Sequence, residues 1–122
     1  MIVLLIALGG ALGSISRYGL SVAVQRAAHT GFPAGTLAVN VLGSLLVGIL
    51  AKTFMSAQTH PELRALLIAG FCGGFTTFSA FSLETVGLVQ GGEWARAVAY
   101  VGSSMVLCLA ATAIGFAIAR SV

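Results

Sequence analysis

The sequence predicts an all-α membrane protein: four transmembrane helices in one domain spanning 1–122. Two observations carry that expectation. Hydrophobic residues make up 58% of the chain and charged residues 7%, against about 25% charged in a soluble domain. The charges are also spaced. Arg17, Arg26, Lys52, Glu62, Arg64, Glu84, Glu93, Arg96 and Arg120 leave charge-free runs at 1–16, 27–51, 65–83 and 97–119. Crossing the hydrocarbon of a bilayer takes about 20 mostly apolar residues, so 122 residues hold four spans, near 2–25, 34–55, 64–90 and 95–119. The connections are short and leave no room for a soluble domain. The composition excludes a disordered chain and a disulfide-rich secreted fold. It also argues against a nucleic-acid binder, because the net charge of +3 comes from scattered single residues and not from a basic stripe.

The first span opens with an apolar stretch, Met1 to Leu12, that has the look of a signal-peptide core. It lacks a basic start, and apolar character resumes after Arg17, which favours a retained helix. Arg17 either draws anions into a vestibule or anchors the helix. Gly9 and Gly13 form a small-xxx-small pair, as do Gly70 with Gly74 and Gly87 with Gly91, and Gly43, Ser44 and Gly48 act likewise on the second span. Such pairs let helix backbones approach closely. The connections carry the breakers His29-Thr30-Gly31-Phe32-Pro33, Gln58-Thr59-His60-Pro61 and Gly91-Gly92. Both histidines read as solvated loop residues.

On the second span Thr36, Asn40, Gly43 or Ser44, and Val47 share a face. Asn40, the one asparagine of the chain, can donate two hydrogen bonds from its amide, either to a neighbouring helix or to a solute.

The third span is the least regular. Residues 70–82 read Gly-Phe-Cys-Gly-Gly-Phe-Thr-Thr-Phe-Ser-Ala-Phe-Ser. Gly73-Gly74 weakens a helix by about 1 kcal/mol per residue relative to Ala, and Thr76, Thr77 and Ser79 offer hydroxyls to freed backbone groups. This pattern predicts a third helix broken at its centre, with carbonyl oxygens turned inward where they could hold a cation. A helix merely kinked on glycine is the plainer alternative. Phe75, Phe78 and Phe81 recur every three residues with Ser79 and Ser82 beside them. Ring edges carry partial positive charge, so rings and hydroxyls together could line a path for a small anion. Glu84, also within this span, reads most simply as the partner of an arginine.

The fourth span carries Tyr100, Ser104, Cys108 and Thr112 at i+4 spacing, a polar stripe in a charge-free run. Cys72 and Cys108 read as small buried hydrophobes, and two cysteines support neither a disulfide framework nor a zinc site. Lys52, Arg64 and Arg120 fall on one side of the membrane, Arg26 and Arg96 on the other. That near balance breaks the usual excess of basic residues on one side. It predicts a chain that inserts both ways and pairs with itself as an antiparallel, dual-topology homodimer; the close helix packing that the glycines allow leaves little room for a pathway inside one protomer, which puts a solute pathway at or near the dimer interface.

Three blocks are distinctive: Gly9-Gly10-Ala11-Leu12-Gly13-Ser14-Ile15-Ser16-Arg17-Tyr18, Pro33-Ala34-Gly35-Thr36-Leu37-Ala38-Val39-Asn40, and Gly70-Phe71-Cys72-Gly73-Gly74-Phe75-Thr76-Thr77-Phe78-Ser79-Ala80-Phe81. In order and spacing they resemble the CrcB/Fluc family of fluoride channels over most of the chain. The resemblance implies an antiparallel homodimer in the cytoplasmic (inner) membrane that passively exports fluoride, rejects chloride, and holds a central sodium ion that is not transported. By position in the motifs, Gly73 and Thr76 would give backbone carbonyls to the sodium. Phe78 and Phe81 would be the paired phenylalanines of the pathway, Asn40 and Ser79 polar contacts along it, and Arg17 a vestibule residue. Tyr100, Ser104 and Thr112 would extend the pathway on the fourth helix. One departure is Ala80, where the family commonly has Thr.

The alternative is a small four-helix proton-coupled exporter of cationic compounds. Such an exporter needs a membrane-embedded carboxylate, expected in the first span, and Glu84 in the third is the one candidate. No nucleophile–base pair, carboxylate dyad or metal cluster is legible, so the sequence does not read as an enzyme.

Overall fold

The computed structural model describes residues 1–56 and 60–120, so Gln58 and Thr59 of the second connection lie outside the described residues. Among the described residues four spans are long and apolar enough to cross a membrane: Ile2–Ala28, Ala34–Met55, Pro61–Gln90 and Trp94–Arg120. The chain is a multi-pass integral membrane protein. Each observed span begins or ends within a few residues of its predicted bounds. The 27 residues of the first helix rise about 40 Å, enough to cross the hydrocarbon at a tilt.

Local chemistry sets the ends. The first helix closes on His29 in the left-handed conformation (φ 47°). Gln25 then ties down the loop that follows: its Nε2 donates to the carbonyls of Thr30 (2.9 Å) and Phe32 (3.0 Å), and its Oε1 accepts from the Gly35 N–H. Pro61 opens the third span at a position where a missing N–H costs nothing. Gly92, at φ 75°, makes the tight turn into the fourth helix, with the Glu93 N–H donating back to the Leu88 carbonyl.

The burial pattern is inverted relative to a soluble bundle. Val3, Ile15, Leu83 and Leu109 are exposed, while Gly9, Gly13 and Gly70 are buried. Large apolar side chains face where lipid would lie, and small residues face neighbouring helices. Two helix pairs result, the first helix on residues 61–75 and the second along the fourth. At Gly9 an added Cβ would strike the Leu66 carbonyl, at Gly13 the Phe71 carbonyl, and at Gly74 the Gly10 backbone. Gly48 lies as close to the Thr112 backbone, and Gly115, which the glycine spacing did not single out, to Leu45 and Ile49. Gly87 differs, with open space around it. An aromatic core of Phe81, Leu88, Ala97 and Tyr100, with Phe32 edge-on to Tyr100, joins residues 78–90 to the fourth helix and the first loop.

Within the third span, Pro61–Arg64 is α-helical, Ala65–Cys72 is wound more widely as a π-helix, and Gly73–Phe75 returns to α geometry. Thr76 (φ −83°, ψ 155°) and Thr77 (φ −150°, ψ 110°) are extended, and Phe78–Gln90 is helical again. The irregularity expected at Gly73-Gly74 is therefore not there. That pair stays helical because Gly74 is pressed against Gly10, and the non-helical residues follow it.

Candidate functional site

The site is built around those two extended residues. A continuous helix would send the Thr77 N–H to the Gly73 carbonyl and the Ala80 N–H to the Thr76 carbonyl. Both donors go elsewhere. The Thr77 N–H donates to Asn40 Oδ1 at 2.8 Å, and the Ala80 N–H to Thr77 Oγ1 at 3.1 Å, which caps the second half of the span. Asn40 Nδ2 completes the clamp by donating to the Thr77 carbonyl at 3.1 Å. Gly73 and Thr76 are thus left with carbonyl oxygens relieved of their helical partners. Of the two, the Thr76 carbonyl gains a side-chain partner, accepting from Arg17 Nη1 at 3.4 Å. Backbone oxygens freed in this way suit a hard monovalent cation.

Two hollows flank the extended pair. The first, about 400 Å³, is walled by Asn40, Ser44 and Val47 of the second helix, Ile68, Cys72, Gly73, Thr76, Phe78 and Phe81 of the third span, and Ser104, Met105 and Cys108 of the fourth helix. Its walls are mostly apolar, with a few convergent polar groups. Asn40 has one amide N–H left after serving Thr77. Ser104 is buried, and its Oγ has no hydrogen-bond partner among the described residues. An unpartnered buried hydroxyl costs about 1–3 kcal/mol, so Ser104 brings an uncommitted donor to this hollow. Phe78 and Phe81 lie with ring centroids 5.4 Å apart and planes inclined by 45°. Phe81 is buried, whereas Phe78 is 71% exposed and forms the rim. Phe75, third of the aromatic series, turns away and stacks on Phe71.

The second hollow, about 470 Å³, is more polar. Arg17, Ser14, Tyr18, Ser21, Thr36, Thr77 and Ser79 contribute to it. Ser79 Oγ pairs with Thr77 Oγ1 at 3.2 Å. The structure thus brings Asn40, Gly73, Thr76, Phe78, Phe81 and Ser104 to the first hollow and Arg17 and Ser79 to the second. Tyr100 and Thr112 line neither. The fully buried Tyr100 donates to Glu84 Oε2 at 2.6 Å, and the Thr112 hydroxyl is bonded to the carbonyls of Ser44 and Cys108.

Among the described residues Glu84 pairs with no arginine. Its other oxygen accepts from Thr36 Oγ1 at 2.7 Å, so two hydroxyls from two other helices satisfy it. Sequence reasoning missed this triad because Thr36 and Glu84 stand 48 residues apart, beyond any local signal. Cys72 is buried, as expected of a small buried hydrophobe, and it also lines the first hollow.

Comparison with known proteins identifies the family. Residues 4–116 match the family described as CrcB-like protein, Camphor Resistance (CrcB). The chain is 45% identical over 121 residues to the fluoride-specific ion channel FluC of Nitratidesulfovibrio vulgaris, covering 98% of each chain. It is 47% identical over 114 residues to that of Sulfurovum, covering 93% of this chain and 90% of the relative. With the protein of the same name from Thermus thermophilus it shares 47% over 113 residues, 93% of this chain and 90% of the other.

Proposed function

The chain belongs to the CrcB-like protein family, and from that premise we propose that it is a fluoride-selective channel of the cytoplasmic membrane. Its relatives are ion channels by name, so the chain acts as a channel and not as an enzyme. It lets fluoride that entered the cell as HF leave down its gradient. The observation that carries the reading is the unpartnered Ser104 hydroxyl in a mostly apolar hollow shared with Asn40, Phe78 and Phe81. Hydroxyl and amide donors in such a setting favour a small, strongly hydrogen-bonding anion over a large one. Among the described residues no cationic side chain stands in the wall of the hollow, so release is not opposed by a fixed charge. Arg17 attracts the anion from the second hollow, where Ser79 offers a further hydroxyl.

The working unit is an antiparallel, dual-topology homodimer. Phe78, exposed at the rim, is the residue that a second copy would cover, completing a pathway that one protomer leaves open. Gly73 and Thr76 would hold a structural sodium ion through their freed carbonyl oxygens, and its charge would offset those dipoles where two copies meet. The carry-over of Tyr100 and Thr112 to this pathway is indirect: Tyr100 orients Glu84, and Thr112 fastens the fourth helix to the second.

Purified protein in liposomes loaded with fluoride or chloride tests this reading, with and without sodium. Rapid, gradient-driven fluoride efflux is expected, with chloride retained and the rate reduced when sodium is withheld. Equal efflux of the two anions would overturn the selectivity. Reporters fused to the C-terminus should appear on both sides of the membrane, and a single-sided result would end the dual-topology proposal.

A further inference from the structure

Arg17 stands between the freed carbonyls and the second hollow. One helical turn before it, Gly13 is pressed against the Phe71 carbonyl, and Gly10 lies against Gly74. Residues four apart share a helical face, so this seam carries the Arg17 side chain to the place where the third span loses its helical form. There Nη1 donates to the Thr76 carbonyl at 3.4 Å. That oxygen lost its helical partner when the Ala80 N–H turned to Thr77 Oγ1. Arg17 lines the second hollow and Thr76 the first. Among the described residues Arg17 pairs with no carboxylate: the ion pair they form joins Arg96 to Glu93, and no acidic side chain stands in the wall of the second hollow.

We propose that Arg17 tunes the cation site: its charge weakens sodium held at the Thr76 carbonyl, and an anion taken up beside Arg17 in the second hollow offsets that charge and tightens the sodium. This tuning rests on the reading that Gly73 and Thr76 hold sodium. A cation at the Thr76 oxygen shares it with a guanidinium nitrogen 3.4 Å away. Like charges at such range repel, the more so where water is partly excluded. One of the five guanidinium N–H donors serves Thr76, which leaves others for an anion. With the anion in place the repulsion is largely cancelled. Coupling between two sites is reciprocal, so the seated sodium favours the anion by the same factor by which the anion favours the sodium. The second hollow therefore takes up fluoride most readily when the cation site is filled.

Equilibrium dialysis of the purified protein against radioactive sodium, with choline as the balancing cation, reads the affinity without any measurement of transport. Arg17→Gln should bind sodium about tenfold more tightly than the wild type, within the range usual for coupled sites. Arg17→Lys keeps the charge and gives up only the planar fork, so its affinity should stay near that of the wild type. Replacing choline gluconate with choline fluoride at constant ionic strength should tighten sodium binding by the wild type about fivefold or more and leave Arg17→Gln unchanged. Equal affinity in wild type and Arg17→Gln, an Arg17→Lys variant that behaves as Arg17→Gln does, or a wild type indifferent to fluoride overturns the tuning. The fluoride comparison needs only the wild type, so it decides the matter even where a variant fails to fold. If neither wild type nor Arg17→Gln holds sodium in either salt, the sodium reading falls and the tuning with it. Sodium bound with no response to Arg17 or to fluoride refutes the tuning alone.

Discussion

Asn40 grips both backbone groups of Thr77: the side-chain oxygen takes the N–H at 2.8 Å and the amide nitrogen gives to the carbonyl at 3.1 Å. The side chain acts as a strand neighbour would, satisfying a residue that neither half of the third span can serve. A single polar residue on the second helix thereby fixes where the third span leaves its helix.

Asn40→Ala should remove both bonds and lower stability by about 1–3 kcal/mol, at about 0.5–1.5 kcal/mol per hydrogen bond. Asn40→Asp keeps the acceptor for the Thr77 N–H, but only its protonated carboxyl can also donate to the Thr77 carbonyl, so in a thermal unfolding assay the variant should unfold at a lower temperature than wild type and recover part of the difference as pH falls. Fluoride efflux should drop in both variants, because the remaining amide N–H is lost as well.

Phe78→Ile and Phe81→Ile remove ring edges from the first hollow while keeping its walls apolar. Edge contacts of about 0.5–1.5 kcal/mol correspond to efflux about two- to tenfold slower for each. A double variant that conducts fluoride at the wild-type rate would remove the phenylalanines from the mechanism.

Gly13→Ala places a methyl group against the Phe71 carbonyl and within 2.9 Å of the Phe75 amide nitrogen, both backbone atoms that cannot rotate aside. Overpacking of this kind costs about 1–3 kcal/mol. Gly19→Ala, on the same helix with nothing near its added carbon, should be neutral or stabilising, because alanine favours helix by about 1 kcal/mol over glycine. Unfolding curves of the two variants in detergent should separate in opposite directions from wild type.

Tyr100→Phe leaves the ring in the aromatic core and deletes the hydroxyl that donates to Glu84 at 2.6 Å. Loss of a hydrogen bond to a carboxylate costs about 1.5–3 kcal/mol when the acceptor is charged. Thr36→Val should cost a similar amount at the other oxygen. Since both act through Glu84, the double variant should fall short of the sum of the two, which a double-mutant cycle on unfolding will read.

The spans were legible because nine charges punctuate an otherwise apolar chain, and lipid demands long uninterrupted helices between them. Gly9, Gly13, Gly70 and Gly74 announced close packing through their spacing, and Asn40 through its isolation. The placement of the non-helical residues was less accessible. Intrinsic propensity points to Gly73-Gly74, but contact with Gly10 keeps that pair helical, and the amide of Asn40 draws Thr77 out instead. Thr36, Glu84 and Tyr100 were equally opaque, since three helices must assemble before their polar atoms meet. Even the i+4 stripe of the fourth helix divides in space: Ser104 and Cys108 face the hollow, whereas the hydroxyls of Tyr100 and Thr112 are committed to other bonds.

The backbone-to-backbone seams at Gly9, Gly13, Gly48 and Gly115 also set how the protein answers to cold. A soluble bundle is held by the expulsion of water, a force that fades on cooling. These seams displace lipid tails, and dispersion between closely apposed main chains holds them. Lowering the temperature takes nothing from that attraction. The dispersion part of the grip between these helices therefore lacks the low-temperature weakening of water-driven cores.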